Sequence, residues 1–150
     1  MVNRNIKLFF AFLLVLLVST NFVFSLSISS PYHKNNLLLM YPGQEREISF
    51  NLQNCPSRAE TCSREDEKVS VALEQGYEIA QITSGNTYTI PYGSSNKNIL
   101  LRVKIPANTA IGTEYSIKFT VTSLPPDEGS VQMGLRYNVE FPVLINLFFY

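Results

Sequence analysis

Two cysteines, Cys55 and Cys62, a single histidine, His33, and a carboxylate run, Glu65, Asp66 and Glu67, are the residues of this chain best suited to chemistry. With one histidine there is no imidazole base to place beside a nucleophile, and the cysteine spacing matches no zinc pattern. A copper site in a β-protein would need at least two histidines. The carboxylates sit in a stretch of mixed charge and read as a solvated loop. Phosphate loop, zinc helix and dinucleotide motifs are absent. The expectation is a non-enzymatic chain with no catalytic residues, no metal ligands and no cofactor. For Cys55 and Cys62 the expectation is a disulfide, since an even cysteine count in an exported chain favours a bridge. Closing so small a ring contributes roughly 2.5 kcal/mol in the chain-entropy account. The tyrosines are the other candidates: Tyr77, Tyr88 and Tyr92 fall in or near the middle connections and are expected as exposed aromatic contacts, whereas Tyr115 and Tyr137 share the parity of core residues.

Export is read from the first residues. Residues 1–7 carry only positive charge, residues 8–18 are an unbroken apolar run, and no charge appears from 8 to 28. This is the pattern of a signal peptide, with cleavage expected after Ser25, or of an uncleaved anchor in the cell membrane. Either form places residues 26–150 outside the cytoplasm, because the positive end stays inside. Basic and acidic residues number 12 each. Without Arg4 and Lys7 the balance is 10 − 12 = −2, and the basic residues are scattered, which excludes a nucleic-acid partner. No Asn-x-Ser/Thr sequon is present.

Beyond the leader, apolar residues recur at every second position and no long stretch has the helical period. Leu26 to Ser29 and Asn36 to Tyr41 suggest an opening strand broken at Pro31. Ile48, Phe50 and Leu52 alternate with polar residues; Asn54 to Glu67 reads as an exposed loop. Val69, Val71 and Leu73 form the next strand, Gly76 interrupts it, and Tyr77 to Ile82 and Thr87 to Ile90 are shorter ones. Ile99, Leu101, Val103 and Ile105 precede Pro106; Tyr115, Ile117, Phe119 and Val121 follow. From Val131 to Ile145 one parity is apolar throughout, which predicts a long strand bent or changing sheet near Pro142. About seven strands without crossover helices predict an all-β, two-sheet antiparallel immunoglobulin-like sandwich.

Pro42 to Ile145 resembles the immunoglobulin-like modules of exported archaeal and bacterial surface proteins, the NEW3/CARDB-like group. The resemblance is carried by the Pro-Gly-Gln-Glu turn at Pro42 and the Leu-Gln-Asn strand end at Asn54. It is carried also by Ile-Leu-Leu-Arg-Val-Lys-Ile-Pro ending at Pro106, by Gly112 followed by Tyr115, and by the closing Phe-Pro-Val-Leu-Ile. It implies a corner built from Pro106, Gly112 and Tyr115, with Tyr115 burying its ring and bonding backbone through its hydroxyl, as in a tyrosine corner. It implies a structural or protein-interaction role in the cell envelope, with an envelope protein or surface polymer as partner and strand edges as contact sites. Two other readings stand beside it: a carbohydrate-binding module using the exposed tyrosines, and a membrane-tethered stator of a surface layer or appendage.

Overall fold

The computed structural model describes residues 26–56, 64–125 and 135–146. Among them the chain is all β, with nine strands and no helix. They are β1 (Leu26–Ser29), β2 (Leu38–Met40), β3 (Glu45–Asn54), β4 (Glu67–Gln75), β5 (Ala80–Ile82), β6 (Thr87–Ile90), β7 (Lys97–Lys104), β8 (Glu114–Ser123) and β9 (Arg136–Ile145). The expected leader, residues 1–25, lies outside the described residues.

The strands form two sheets, one in the order β1-β3-β7-β5 and one in the order β2-β9-β8-β4-β6. Strand number exceeds the expected seven in part because the opening strand is two strands, β1 and β2, in different sheets. Pro31 does more than kink the chain: residues 30–37 carry it from one sheet to the other, since a prolyl nitrogen cannot continue a ladder. The all-antiparallel expectation is corrected too, because β2 runs parallel to β9, with Leu38 opposite Val143 and Met40 opposite Ile145. The other pairings are antiparallel. Nor does the final strand change sheets at Pro142; β9 stays against β8 in unbroken register from Arg136 to Leu144.

Alternation in the sequence becomes alternation in burial. Ile48, Phe50 and Leu52 of β3, Ile99, Leu101 and Val103 of β7, Ile117, Phe119 and Val121 of β8 and Val139, Phe141 and Val143 of β9 all face the space between the sheets. Three phenylalanines lock the layers: Phe50 of the first sheet meets Phe119 edge-on at 4.8 Å between ring centroids and Phe141 at 5.6 Å. Gly76 follows a register shift in β4 between Leu73 and Gln75. Its φ is 89°, and a Cβ there would come within 3.0 Å of Ile117 Cγ1 and 3.1 Å of the Ser116 carbonyl oxygen, so glycine alone fits the turn.

Candidate functional site: an unpaired strand edge

On one side of the sandwich the chain crosses between sheets through residues 30–37, from β1 at the edge of one sheet to β2 at the edge of the other. Both edge strands are short, and each covers only part of its longer neighbour. β1 pairs β3 from Asn51 to Asn54 and leaves Glu45 to Phe50 uncovered. β2 pairs β9 from Val143 to Ile145 and leaves Arg136 to Pro142 uncovered.

Which backbone groups this exposes follows from the ladder. Ser123 N–H donates to Leu135 O at one end of the β8–β9 pair; at the other, Ile145 N–H donates to Thr113 O and Gly112 N–H to Ile145 O. With no register shift between, odd-numbered residues of β9 face β8 and even-numbered ones face away. Asn146 N–H, donating to Met40 O at 2.8 Å, fits the same alternation. The N–H and C=O groups of Arg136, Asn138 and Glu140 therefore point outward with no partner strand among the described residues. Their side chains are exposed as well. Pro142, which has no N–H to offer, separates this run from the stretch covered by β2. By the same parity argument Glu45, Glu47 and Ser49 are the outward-facing residues on the open part of β3.

The two open stretches differ in charge. That of β3 carries Glu45, Arg46 and Glu47, with the two carboxylates at outward-facing positions. That of β9 carries one charge of each sign, Arg136 and Glu140, with Asn138 between. Arg136 also reaches Glu74 of β4 within its own sheet, where Lys118 Nζ lies 3.3 Å from the same carboxylate. Partial burial pushes the Glu74 carboxyl up, but the two cations outweigh it and hold the group below its ordinary range. At the inner end of the edge, Tyr137 donates its hydroxyl proton to Leu26 O at 2.5 Å, tying β9 to β1 across the sandwich. Burial, with the Glu67 carboxylate nearby, raises the Tyr137 hydroxyl above its usual value.

The residues singled out from the sequence are dispersed. Tyr77 is 67% exposed and borders a shallow groove of ≈ 560 Å³ lined also by Glu45, Glu78, Gln81, Arg102 and Lys104. Arg102 and Lys104 approach Glu45 at 3.4 and 3.8 Å on the open surface. Tyr88 corrects the expectation: it is 5% exposed, because it shares parity with buried Ile90 on β6 and its hydroxyl donates to Gly85 O at 2.6 Å. Tyr92 is half-buried in the turn after β6, where its N–H donates to Asp66 Oδ1. Tyr77 and Tyr92 lie toward opposite ends of the sandwich, beside Pro106 and beside Asn54 respectively, so the tyrosines form no common platform.

The connection from β7 to β8 passes from one sheet to the other, with Pro106 just beyond the ladder and Gly112 at φ 82°. Tyr115 packs its ring against the core, but no hydrogen bond of its hydroxyl occurs among the described residues. Hydroxyl-to-backbone bonds are made elsewhere, by Tyr137 to Leu26 O and by Tyr88 to Gly85 O. Asn54 ends β3, as the resemblance implies, and does not belong to the exposed loop that the polar stretch from Asn54 to Glu67 suggests; it is 2% exposed, its amide donating to Ile90 O and Glu65 O. Cys55 beside it is buried and is not a free thiol. Cys62 lies outside the described residues. Among the described residues no group of three His, Cys, Asp or Glu side chains could hold a metal.

The sequence matches no protein-family model and no curated protein. Solved structures do resemble the fold. PapD-like domain 7 of human CEP192, an ASH/PapD-like domain, superposes with a TM-score of 0.57 at 12% identity, over 81% of this chain and 84% of that one. The E. coli chaperone DraB gives 0.54 at 12% identity, over 81% of this chain and 56% of that one. The CsuC–CsuE chaperone–tip adhesion subunit pre-assembly complex of Acinetobacter baumannii gives 0.50 at 19%, over 81% and 52%. The chain thus spans about half the length of the two chaperone-system chains it matches. The fold is an immunoglobulin-like β-sandwich, similar to that of these PapD-like domains; the narrower NEW3/CARDB-like resemblance has no counterpart among these structures.

Proposed function

We propose that this chain is a non-enzymatic protein-interaction module of the cell envelope, in which residues 1–25 direct residues 26–150 out of the cytoplasm and β9 receives a strand from a protein partner. One observation carries the reading: Arg136, Asn138 and Glu140 present backbone donors and acceptors in register with no partner strand among the described residues, the requirement for adding a strand to a sheet. The fold agrees with it, since one of the similar structures is a complex between a chaperone and a subunit. In this reading a bridge from Cys55 to Cys62 holds the loop after β3, as suits an oxidising compartment.

A photo-reactive residue in place of Asn138, in the native host, tests it. The expected result is a protein adduct at that position and none at exposed Thr89 on the far edge. Absence of adduct at Asn138, or equal labelling at both, would sink the proposal. Intact mass of the recovered protein checks the rest. A product lacking residues 1–25 indicates secretion and a full-length product in membranes indicates tethering, as in a surface-layer or appendage stator. A thiol alkylated before reduction would rule out the bridge.

A carbohydrate ligand has one observation in its favour, the exposed Tyr77 ring beside Gln81, Glu78 and Arg102, a combination that stacks on a sugar and bonds its hydroxyls. Retention on insoluble polysaccharide that survives Tyr77→Ala would exclude this site.

A further inference from the structure

The open edge of β9 is complementary to itself. Set two copies of β9 antiparallel, centred on Asn138, and each Asn138 faces its counterpart while Arg136 of each copy faces Glu140 of the other. All three pairs join residues whose N–H and C=O groups point outward, so each pair exchanges two backbone hydrogen bonds. Opposite charges directly across a strand pair are stabilising and like charges destabilising. Centring the pair on Glu140 would oppose Glu140 to itself; centring it on Arg136 would oppose two guanidinium groups. Only the Asn138 register satisfies both charges. The open stretch of β3 has no such symmetry, because centring it on Glu47 opposes two carboxylates.

On this basis we infer that the strand received by β9 is β9 of a second copy, giving a closed two-fold dimer in which the two five-stranded sheets become one continuous sheet. The inference rests on the edge-pairing function proposed above and names its partner. Among the described residues no strand pairs with β9 along this stretch, and the 30–37 crossover touches β9 at Phe141, where the Tyr32 ring lies 5.8 Å from the Phe141 ring. Arg136 has donors enough to serve both Glu74 of its own sheet and Glu140 of the second copy. Pro142 limits the length of the pairing, since it cannot donate to a strand extended past Glu140.

Sedimentation equilibrium of the protein as recovered from its host, with charge exchange at the two positions, tests the register. Wild type is expected to be a dimer. Glu140→Arg, which sets arginine against arginine in both symmetry-related pairs, is expected to weaken it about tenfold. Combining Arg136→Glu with Glu140→Arg restores the opposite pairs and is expected to bring association back. A second measurement is independent of charge: Asn138→Cys is expected to give a disulfide-linked dimer on mild oxidation. Facing residues of a hydrogen-bonded pair lie about 5.5 Å apart at Cα, within disulfide reach. Ser49→Cys on β3 is expected to give none.

A wild type that is monomeric up to about 100 μM overturns the inference. So does a dimer indifferent to the single exchange, or one not rescued by the double. A monomer that still forms an adduct from position 138 with a different protein overturns the inference and leaves the edge-pairing function standing. Failure of every adduct at 138 overturns both.

Discussion

Two of the chain's passages between sheets join edge strand to edge strand, at opposite sides of the sandwich, through residues 30–37 and through residues 83–86, and these two crossings are built differently. The second is bound into the strands around it. Thr83 N–H donates to Leu100 O at 2.9 Å, Leu100 N–H to Ser84 Oγ at 2.8 Å, and Val71 N–H to Asn86 O at 2.8 Å, so β7 and β4 both hold it. The Tyr88 hydroxyl completes it, 2.5 Å from Ser84 Oγ. The first crossing is bound to itself. His33 and Asn36 exchange backbone bonds, Asn36 Nδ2 donates to Pro31 O, and Ser30 Oγ donates to Tyr32 O. Its ring contact with the sheet is Tyr32 on Phe141. A crossing that spends its hydrogen bonds on neighbouring strands closes an edge; one that spends them internally leaves the edge available.

The largest test of that contrast is Tyr88→Ala set against Tyr32→Ala. Losing the buried Tyr88 is expected to cost about 3–5 kcal/mol by urea denaturation, and losing the half-buried Tyr32 about 1–2 kcal/mol. Equal losses would mean that the two crossings are equally anchored. Ser84→Ala comes next: it removes the acceptor of the Leu100 N–H and a partner of the Tyr88 hydroxyl, at about 1–3 kcal/mol. Ser30→Ala, its counterpart on the open side, should lie within about 0.5 kcal/mol of wild type.

Tyr137→Phe is smaller, about 0.5–1.5 kcal/mol for the bond to Leu26 O, and carries a pH signature. Because the folded hydroxyl titrates above its unfolded value, the unfolded chain loses its proton first, and stability should fall as pH rises past about 10. Removing the hydroxyl should lessen that fall, and a profile unchanged in the variant would place the cause elsewhere. Smallest is Glu74. Its carboxyl, held low by Lys118 and Arg136, contributes stability that is complete above the unfolded carboxylate range and is lost as pH falls through the folded value. Glu74→Gln should flatten the acid limb of a thermal-melt series.

Strands whose apolar residues alternate cleanly were readable before any pairing was known. Ile99, Leu101, Val103 and Ile105, or Ile117, Phe119 and Val121, name their own buried face, because period two is a local property of the backbone. Tyr88 was readable on the same rule, since it shares parity with Ile90, but its place among turn residues drew attention to exposure. The sheet switch at Pro31 and the parallel pairing of β2 were not readable. Both depend on which distant strand lies alongside, and three residues carry too little pattern to say. Pro142 is an available signal: a proline inside a strand marks an edge, a meaning that stands beside the bend or change of sheet it also suggests. Asn54 shares the inward parity of Ile48, Phe50 and Leu52, but nothing in the sequence names the carbonyls of Ile90 and Glu65 that satisfy it, which the fold brings to it.

The short parallel strand β2 has a mechanical consequence. It lies beside β9, so an early and a late strand of the described fold are neighbours running in the same direction. Tension entering at Leu26 and leaving at Asn146 meets the β1–β3 ladder first and, once it reaches β2, pulls β2 and β9 past one another along their length. The bonds between them, including Asn146 N–H to Met40 O, are then loaded together and not peeled one after another. Three residue pairs thus act as a latch against stretching, and the sandwich is set to resist a pull along the chain better than its modest edge strands suggest.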